Sequence, residues 1–446
     1  MCLGDVMAVR AEDRMNILHV APMYYPALGG AELHLKEVSQ GLAARGHDVT
    51  VLTANVTRGA DLCASRAGGL PSEEMIEGVR VVRLPPEGGW LGALFERWRT
   101  LKGGYRTLQL MFSPDECAML LQGPRTFNVI PYLFRSHADI VMSMGWYWPP
   151  AFHVSLAHRL KPFALVGMPL FHLASDWCAR SMYDSMLAQC DAVVTNTSFE
   201  ADYVRAHGAK QAIVAGVGIH PAAFANPQGH SIRKRYGLSS HPVVGFVGRQ
   251  AANKGADKVV AAMKTVWAWN QQARVVLAGP RVPGKWEDEL LPSLTSEQRS
   301  RIIRIDEFED KEKASIFAAF DVFVLPSIEE SFGIAYLEAW MCGKPVIGSR
   351  IGSTACVIND REDGILADPH DPRDVGAKII ELLSDPDRRM RMGAQGRAKT
   401  LAHYTWDQVT TTVETVYRDA LVRRGRLPAM TDRSDAQVEV ARSASQ

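Results

Sequence analysis

Two glutamates eight residues apart, Glu330 and Glu338, lie in Ser327-Ile-Glu-Glu-Ser-Phe-Gly-Ile-Ala-Tyr-Leu-Glu338, directly after an apolar run that ends at Pro326. Carboxylates accept hydrogen bonds from hydroxyls, so such a pair can hold the two ends of one extended polyol. Read as a helix starting near Ser331, the segment separates its acids by roughly 12 Å, eight residues at ~1.5 Å each. The first free N–H groups, those of Ser331, Phe332 and Gly333, would face an anion, and Gly333 allows close approach to the backbone. A second stretch, Gly248-Arg-Gln-Ala-Ala-Asn-Lys-Gly255, supplies cations. Arg249 and Lys254 on that loop would neutralise charge gathering on a departing diphosphate, with Gly248 opening the backbone to it. Sugar, two phosphates and ribose in a line, as in a nucleoside diphosphate sugar, fit this arrangement of acids and cations.

Each motif has a plainer alternative. A bare glutamate pair can be a helix cap and a solvated acid, and two loop cations can be ordinary surface charge; it is their co-occurrence that points to one cleft. In the first half of the chain, Ala27-Leu-Gly-Gly-Ala-Glu32 offers Gly29 and Gly30, whose N–H groups could meet the diphosphate from the opposite wall, or could simply form a tight turn. The one Asp-x-Asp string, Asp385-Pro-Asp387, falls between helical segments and reads as a turn and N-cap, so no metal requirement is expected.

The elements that position these residues alternate strand and helix. Asn16 to Pro22 is an almost continuous apolar run, suited to a parallel strand buried on both faces. Ala31, Leu35, Val38 and Leu42 then recur at helical spacing up to Gly46, and Asp48 to Thr53 reads as the next strand. Further strands are predicted at 79–84, 138–144, 163–168 and 191–196, then a pause at Gly216-Val-Gly218, then a second series at 243–248, 273–279, 301–306, 321–326, 344–349 and 364–367. Two successive series imply two Rossmann-like doubly wound α/β domains facing a central cleft. The predicted division is an N-terminal extension (1–14), a first domain (15–218) with an insertion at about 87–131, a second domain (219–402), a helix at 403–424 and a disordered tail (425–446).

The segment from Pro326 through Asp371, including Ala339-Trp-Met-Cys-Gly-Lys-Pro-Val-Ile-Gly348 and Asp363-Gly-Ile-Leu-Ala-Asp-Pro-His-Asp371, resembles the second-domain signature of the retaining family 4 glycosyltransferases, enzymes of GT-B architecture. The loop at 248–255 resembles that family's Gly-Arg-x-x-x-x-Lys-Gly element, and Gly29-Gly30 its first-domain loop. The resemblance implies that Glu330 contacts hydroxyls of the donor sugar, that Glu338 contacts the ribose, and that the last helix crosses back onto the first domain. It also implies a histidine near the reacting sugar, for which His172 in Met168-Pro-Leu-Phe-His172 is the candidate. Two departures stand out: Cys356 replaces a common glutamate, and Asn253 stands where glutamate is usual. The expected activity is metal-independent, retaining transfer from a nucleoside diphosphate sugar to an acceptor hydroxyl, with no cofactor. A nucleotide-sugar epimerase of GT-B-like fold and a non-catalytic nucleotide-sugar-binding protein are the alternatives.

Composition narrows the partners. The chain has 446 residues, with 50 Lys plus Arg against 49 Asp plus Glu, a net charge of +1 that argues against a nucleic-acid binder. Seven scattered cysteines without a C-x-x-C pair speak against a disulfide framework or a structural zinc site. Every apolar run falls short of the ~18 to 20 residues of a membrane span, and the N-terminus does not read as a secretory signal, so a cytoplasmic location is expected. The insertion mixes Trp90, Trp98 and Tyr105 with Arg97, Arg99 and Lys102. Segment 90–112 therefore reads either as an acceptor-site lid or as a peripheral contact with the inner face of a membrane.

Overall fold

The computed structural model describes residues 13–27, 29–63, 67–86, 97, 110, 112–121, 124, 126–173, 181–282 and 285–427. Two sheets organise them. The first contains β1 (Asn16–Val20), β2 (Asp48–Ala54), β3 (Glu73–Ile76), β4 (Val79–Leu84), β5 (Ile140–Met144), β6 (Ala164–Met168), β7 (Ala192–Thr195) and β8 (Ala212–Val214). Its order is β3-β4-β2-β1-β5-β6-β7-β8, parallel except where β3 runs antiparallel to β4. The second contains β9 (Val243–Val247), β10 (Arg274–Ala278), β11 (Ile302–Ile305), β12 (Val322–Leu325), β13 (Val346–Ser349) and β14 (Gly364–Ala367) in the order β11-β10-β9-β12-β13-β14. Strands such as Val243-Val-Gly-Phe-Val247 are buried throughout, as the apolar runs require of a sheet covered on both faces.

In each sheet the first strand of the series sits in the middle, β1 between β2 and β5, and β9 between β10 and β12. Chain progression reverses there, leaving a crevice at the carboxyl ends of the strands. The helices that matter below are α1 (Gly30–Ala44), α2 (Pro149–Leu160), α3 (Ser198–Ala206), α4 (Ala256–Trp269), α5 (Asp310–Ala318), α6 (Ile334–Met341), α7 (Pro386–His403) and α8 (Trp406–Arg423). In α1, Leu35, Val38 and Leu42 are buried at the predicted spacing. Asp385 caps α7, accepting the Arg388 N–H at 2.9 Å, so the Asp-x-Asp string is a helix start.

The last helix leaves the second lobe and covers the first. Tyr417 of α8 hydrogen-bonds His19 of β1 at 2.9 Å, and Arg45 at the end of α1 pairs with Glu414 at 2.9 Å. The chain passes between the lobes beside itself: Ile219 N–H donates to Tyr404 O at 2.9 Å and Trp406 N–H to Ile219 O at 3.3 Å. Three expectations need correction or limits. Strands β3 and β8 escaped the sequence reading because each is short and neither has a long apolar run. The helix of the glutamate motif starts at Ile334, three residues later than predicted. Within the insertion, Pro114–Leu121 and Val129–Arg135 are helical, whereas Trp90, Trp98 and Tyr105, like most of the tail (428–446) and residues 1–12, lie outside the described residues.

Candidate functional site

The site begins with two loops at the ends of neighbouring strands. β9 leads through Gly248 and Arg249 to a single 3-10 turn, Ala252–Lys254; β12 leads through Pro326 to Glu330. Adjacent strands lie ~4.8 Å apart, so the two loops are held side by side. They are laced together: Asn253 O accepts from Ile328 N–H (3.1 Å) and Ser327 Oγ (3.0 Å), while the Asn253 amide donates to Glu329 Oε2 (3.1 Å). Gly255 follows in the left-handed region at φ 82°, with a hypothetical Cβ only 2.5 Å from Pro326 O, so no larger residue fits that contact. Lys254 Nζ consequently reaches Glu330 Oε2 at 2.8 Å and Glu329 O at 2.9 Å. Both side chains of the Lys254–Glu330 pair are largely shielded, which strengthens the interaction relative to a surface pair.

Arg249 stands next to Gln250, whose buried amide donates to Gly279 O (2.8 Å) and Asp306 Oδ1 (2.9 Å) and so ties the ends of β9, β10 and β11 together. Across the cleft, beyond β6, His172 donates its backbone N–H to the Tyr147 hydroxyl, with the two rings 5.9 Å apart. Burial lowers the His172 pKa below the usual imidazole value; Lys254 and Arg249 push it the same way, while Glu330 and Glu329 oppose them. The imidazole is therefore neutral at pH 7 and able to accept or donate a proton. His172 thus feels the charges of the second lobe's loops across the cleft. His172 and Phe199 of the first lobe line a common recess with Glu329, Glu330 and Gly352 of the second.

Other predicted residues stand differently. Glu330 lies in the loop before α6, and Gly333 takes φ 93°, so the acids do not share one helical rod. Glu338, on the second turn of α6, is buried and meets Lys313 of α5 at 3.3 Å; burial raises its pKa, against the pull of Lys313. The Phe332 side chain is buried against Tyr404 (ring centroids 5.3 Å apart), so this residue could offer a ligand only its backbone; Ser331 and Gly333 belong to the same loop. Gly29 caps α1 and Gly30 opens it, but the Glu32 carboxylate folds back over Gly29, within 2.1 Å of where a Cβ would stand. Burial raises the Glu32 pKa.

Two site residues were not singled out from the sequence. Glu329 is one. The other is Glu200, fully buried, whose Oε1 accepts from Phe171 N–H (2.8 Å) and Oε2 from Asn196 N–H (3.0 Å), locking the loop that carries His172 to the next one. Burial pushes its pKa up to about 7. The signal was present in Thr197-Ser-Phe-Glu200, a Ser/Thr-x-x-Glu helix-start pattern, and Thr197 Oγ1 indeed accepts from Glu200 N–H at 3.3 Å. Among the described residues no group of three or more His, Cys, Asp or Glu is placed to hold a metal ion, and no helix is long and apolar enough to cross a membrane.

Comparison with known proteins follows the same division. Residues 29–218 match the family described as "Glycosyl transferase 4-like domain" and residues 230–399 "Glycosyl transferases group 1". The chain is 28% identical over 432 residues to a D-inositol 3-phosphate glycosyltransferase of Stackebrandtia nassauensis (93% of each chain). It is 26% identical over 435 residues to one of Corynebacterium diphtheriae (91% and 94%). Among solved structures it is similar to sucrose-phosphate synthase from Thermosynechococcus elongatus, with a TM-score of 0.69 at 22% identity over 92% of this chain and 100% of the other. Anabaena Alr3699/HepE in complex with UDP and glucose gives 0.67 at 18%, over 90% and 99%. With both lobes matched in tandem and the cleft between them, the chain is a glycosyltransferase of the GT-B fold and belongs with the family 4-like enzymes.

Proposed function

We propose that the protein transfers a sugar from a nucleoside diphosphate donor to an acceptor hydroxyl with retention of anomeric configuration and without a metal. The observation that carries this reading is the shielded Lys254–Glu330 pair at 2.8 Å, with His172 of the first lobe lining the same recess as Glu330. In the reaction the anomeric carbon–phosphate oxygen bond breaks while the acceptor oxygen bonds to the same face of the carbon. The acceptor proton passes to the departing phosphate oxygen. The cations of Arg249 and Lys254, the latter held by Glu330 and Glu329 O, stabilise the charge that builds on the diphosphate, the role a metal would otherwise fill. Glu330, oriented by Lys254, accepts from donor-sugar hydroxyls, and neutral His172 hydrogen-bonds the reacting sugar from the acceptor side.

Glu338 is read as the ribose ligand, held ready by Lys313, and the backbone of Gly29 and Gly30 as a diphosphate contact once Glu32 swings aside. The UDP and glucose complexes of Anabaena HepE make UDP-glucose the first donor to try. Incubation with UDP-, GDP- and ADP-sugars, scored by thermal shift and nucleoside diphosphate release, tests the reading. The product's anomeric configuration by NMR tests retention, and activity abolished by EDTA would contradict metal independence.

A further inference from the structure

We propose that the acceptor wall of the first lobe is built for an uncharged, extended glycan, not for a phosphorylated small molecule. This rests on the transferase reading above and names the substrate class of that site. The strands β1, β5, β6 and β7 are consecutive neighbours in the sheet, and the segment after each carries an aromatic ring: Tyr25 after β1, Tyr147 and Trp148 after β5, His172 after β6, Phe199 after β7. Tyr25 and Phe199 are 43% and 41% exposed, large fractions for aromatic side chains of a folded core, and the other three rings are partly exposed. Phe199 and His172 line the recess shared with Glu329 and Glu330, so one end of the row meets the second lobe's charged residues.

Four adjacent strand ends at ~4.8 Å spacing extend over roughly 14 Å, the reach of an oligosaccharide more than of a single ring. The flat apolar faces of pyranoses pack on aromatic rings, and their hydroxyls need neutral acceptors at the edges. Just past β7, the buried Asn196 leaves its Oδ1 without a hydrogen-bond partner. Charge points the same way. Among the described residues at this wall, Asp61 engages Arg58 at 3.0 Å, and Lys36 of α1, 5.5 Å from the centre of the Tyr25 ring, pairs with Glu37 at 3.8 Å. A phosphate monoester brought to these described residues would find both cations already engaged by carboxylates.

The test uses the full-length protein with the donor it turns over. Maltotriose, cellotriose and mannotriose are compared with glucose, glucose 6-phosphate and inositol 1-phosphate. Acceptor-dependent nucleoside diphosphate release is followed alongside saturation-transfer NMR, which reports sugar binding whether or not turnover occurs. The expected result is that at least one neutral trisaccharide binds and stimulates release more than glucose does. Tyr25→Ala would raise that acceptor's KM by about tenfold without a matching change in donor KM. Stimulation by the phosphate esters alone, or no neutral trisaccharide binding, overturns the inference while leaving the transferase reading intact. Absence of release with every donor counts against the transferase reading, and trisaccharide binding by NMR still decides the glycan wall.

Discussion

The two walls of the cleft are built on different principles. The second lobe presents ionic chemistry: Lys254, Glu329, Glu330 and Asn253 belong to two short loops laced together by side-chain hydrogen bonds and one backbone bond. The first lobe presents aromatic rings on four separate segments, of which the two after β6 and β7 are tied together by one buried carboxylate, Glu200. Charged groups that must act on a developing charge need fixed positions, which dense local lacing provides. A surface that packs against the faces of rings tolerates a looser, distributed construction. On the proposed reading, the donor side would be the rigid template and the acceptor side the adaptable one.

The sharpest way to break this contrast is Lys254→Ala. Removing it takes away the proposed leaving-group cation and leaves Glu330 unpaired in a shielded site, so donor turnover should fall by about 10²- to 10³-fold, measured as nucleoside diphosphate release. Loss of less than about tenfold would remove the second lobe's claim to be the charged template. Next comes Glu330→Gln, expected to lower turnover by roughly tenfold or more. Combined with Lys254→Ala it should cost much less than the product of the two, because each residue orients the other; a strictly additive double mutant would show that the pair does not act as a unit.

Smaller again is Glu338→Gln. Its carboxylate meets Lys313 at 3.3 Å, and we expect a several-fold rise in donor KM with kcat little altered. An equal fall in kcat would move Glu338 into the chemical step. The finest probe addresses the first lobe. Glu200 has a folded-state pKa of about 7, above its ordinary carboxyl value, so its protonated form favours the fold. That contribution is complete below pH ~4.5 and is lost as pH rises towards and through 7, by of the order of 3 kcal/mol. Denaturant midpoints of the wild type should decline across that window and those of Glu200→Gln should be flatter; parallel curves would show that Glu200 is ionised throughout.

How much could be read from the chain alone follows from the same contrast. Arg249, Lys254 and Glu330 were legible because the loops carrying them are contiguous in sequence and abut long buried strands such as Val243–Val247. Glu200 was not, since its value lies in accepting N–H groups from Phe171 and Asn196, a relation that exists only after β6 and β7 are aligned. The common helical rod for Glu330 and Glu338 failed for a local reason: Gly333 adopts the left-handed region and delays α6 until Ile334, leaving Glu330 in the loop where Lys254 can reach it. Strand β3 was missed because half its residues face solvent and its pairing with β4 depends on the tight turn at Glu77-Gly78, both at positive φ.

The return of α8 onto the first lobe has a consequence for engineering. Tyr417 and Glu414 belong by sequence to the far end of the chain, yet they complete the surface formed by His19, Arg45 and α1. A hybrid that borrows its donor half from a relative should therefore be joined twice, near Ile219 and again near Thr405, so that the native terminal helix stays with its own partner. Spliced once, such a hybrid would inherit a foreign helix over the sheet that, on the proposed reading, chooses the acceptor.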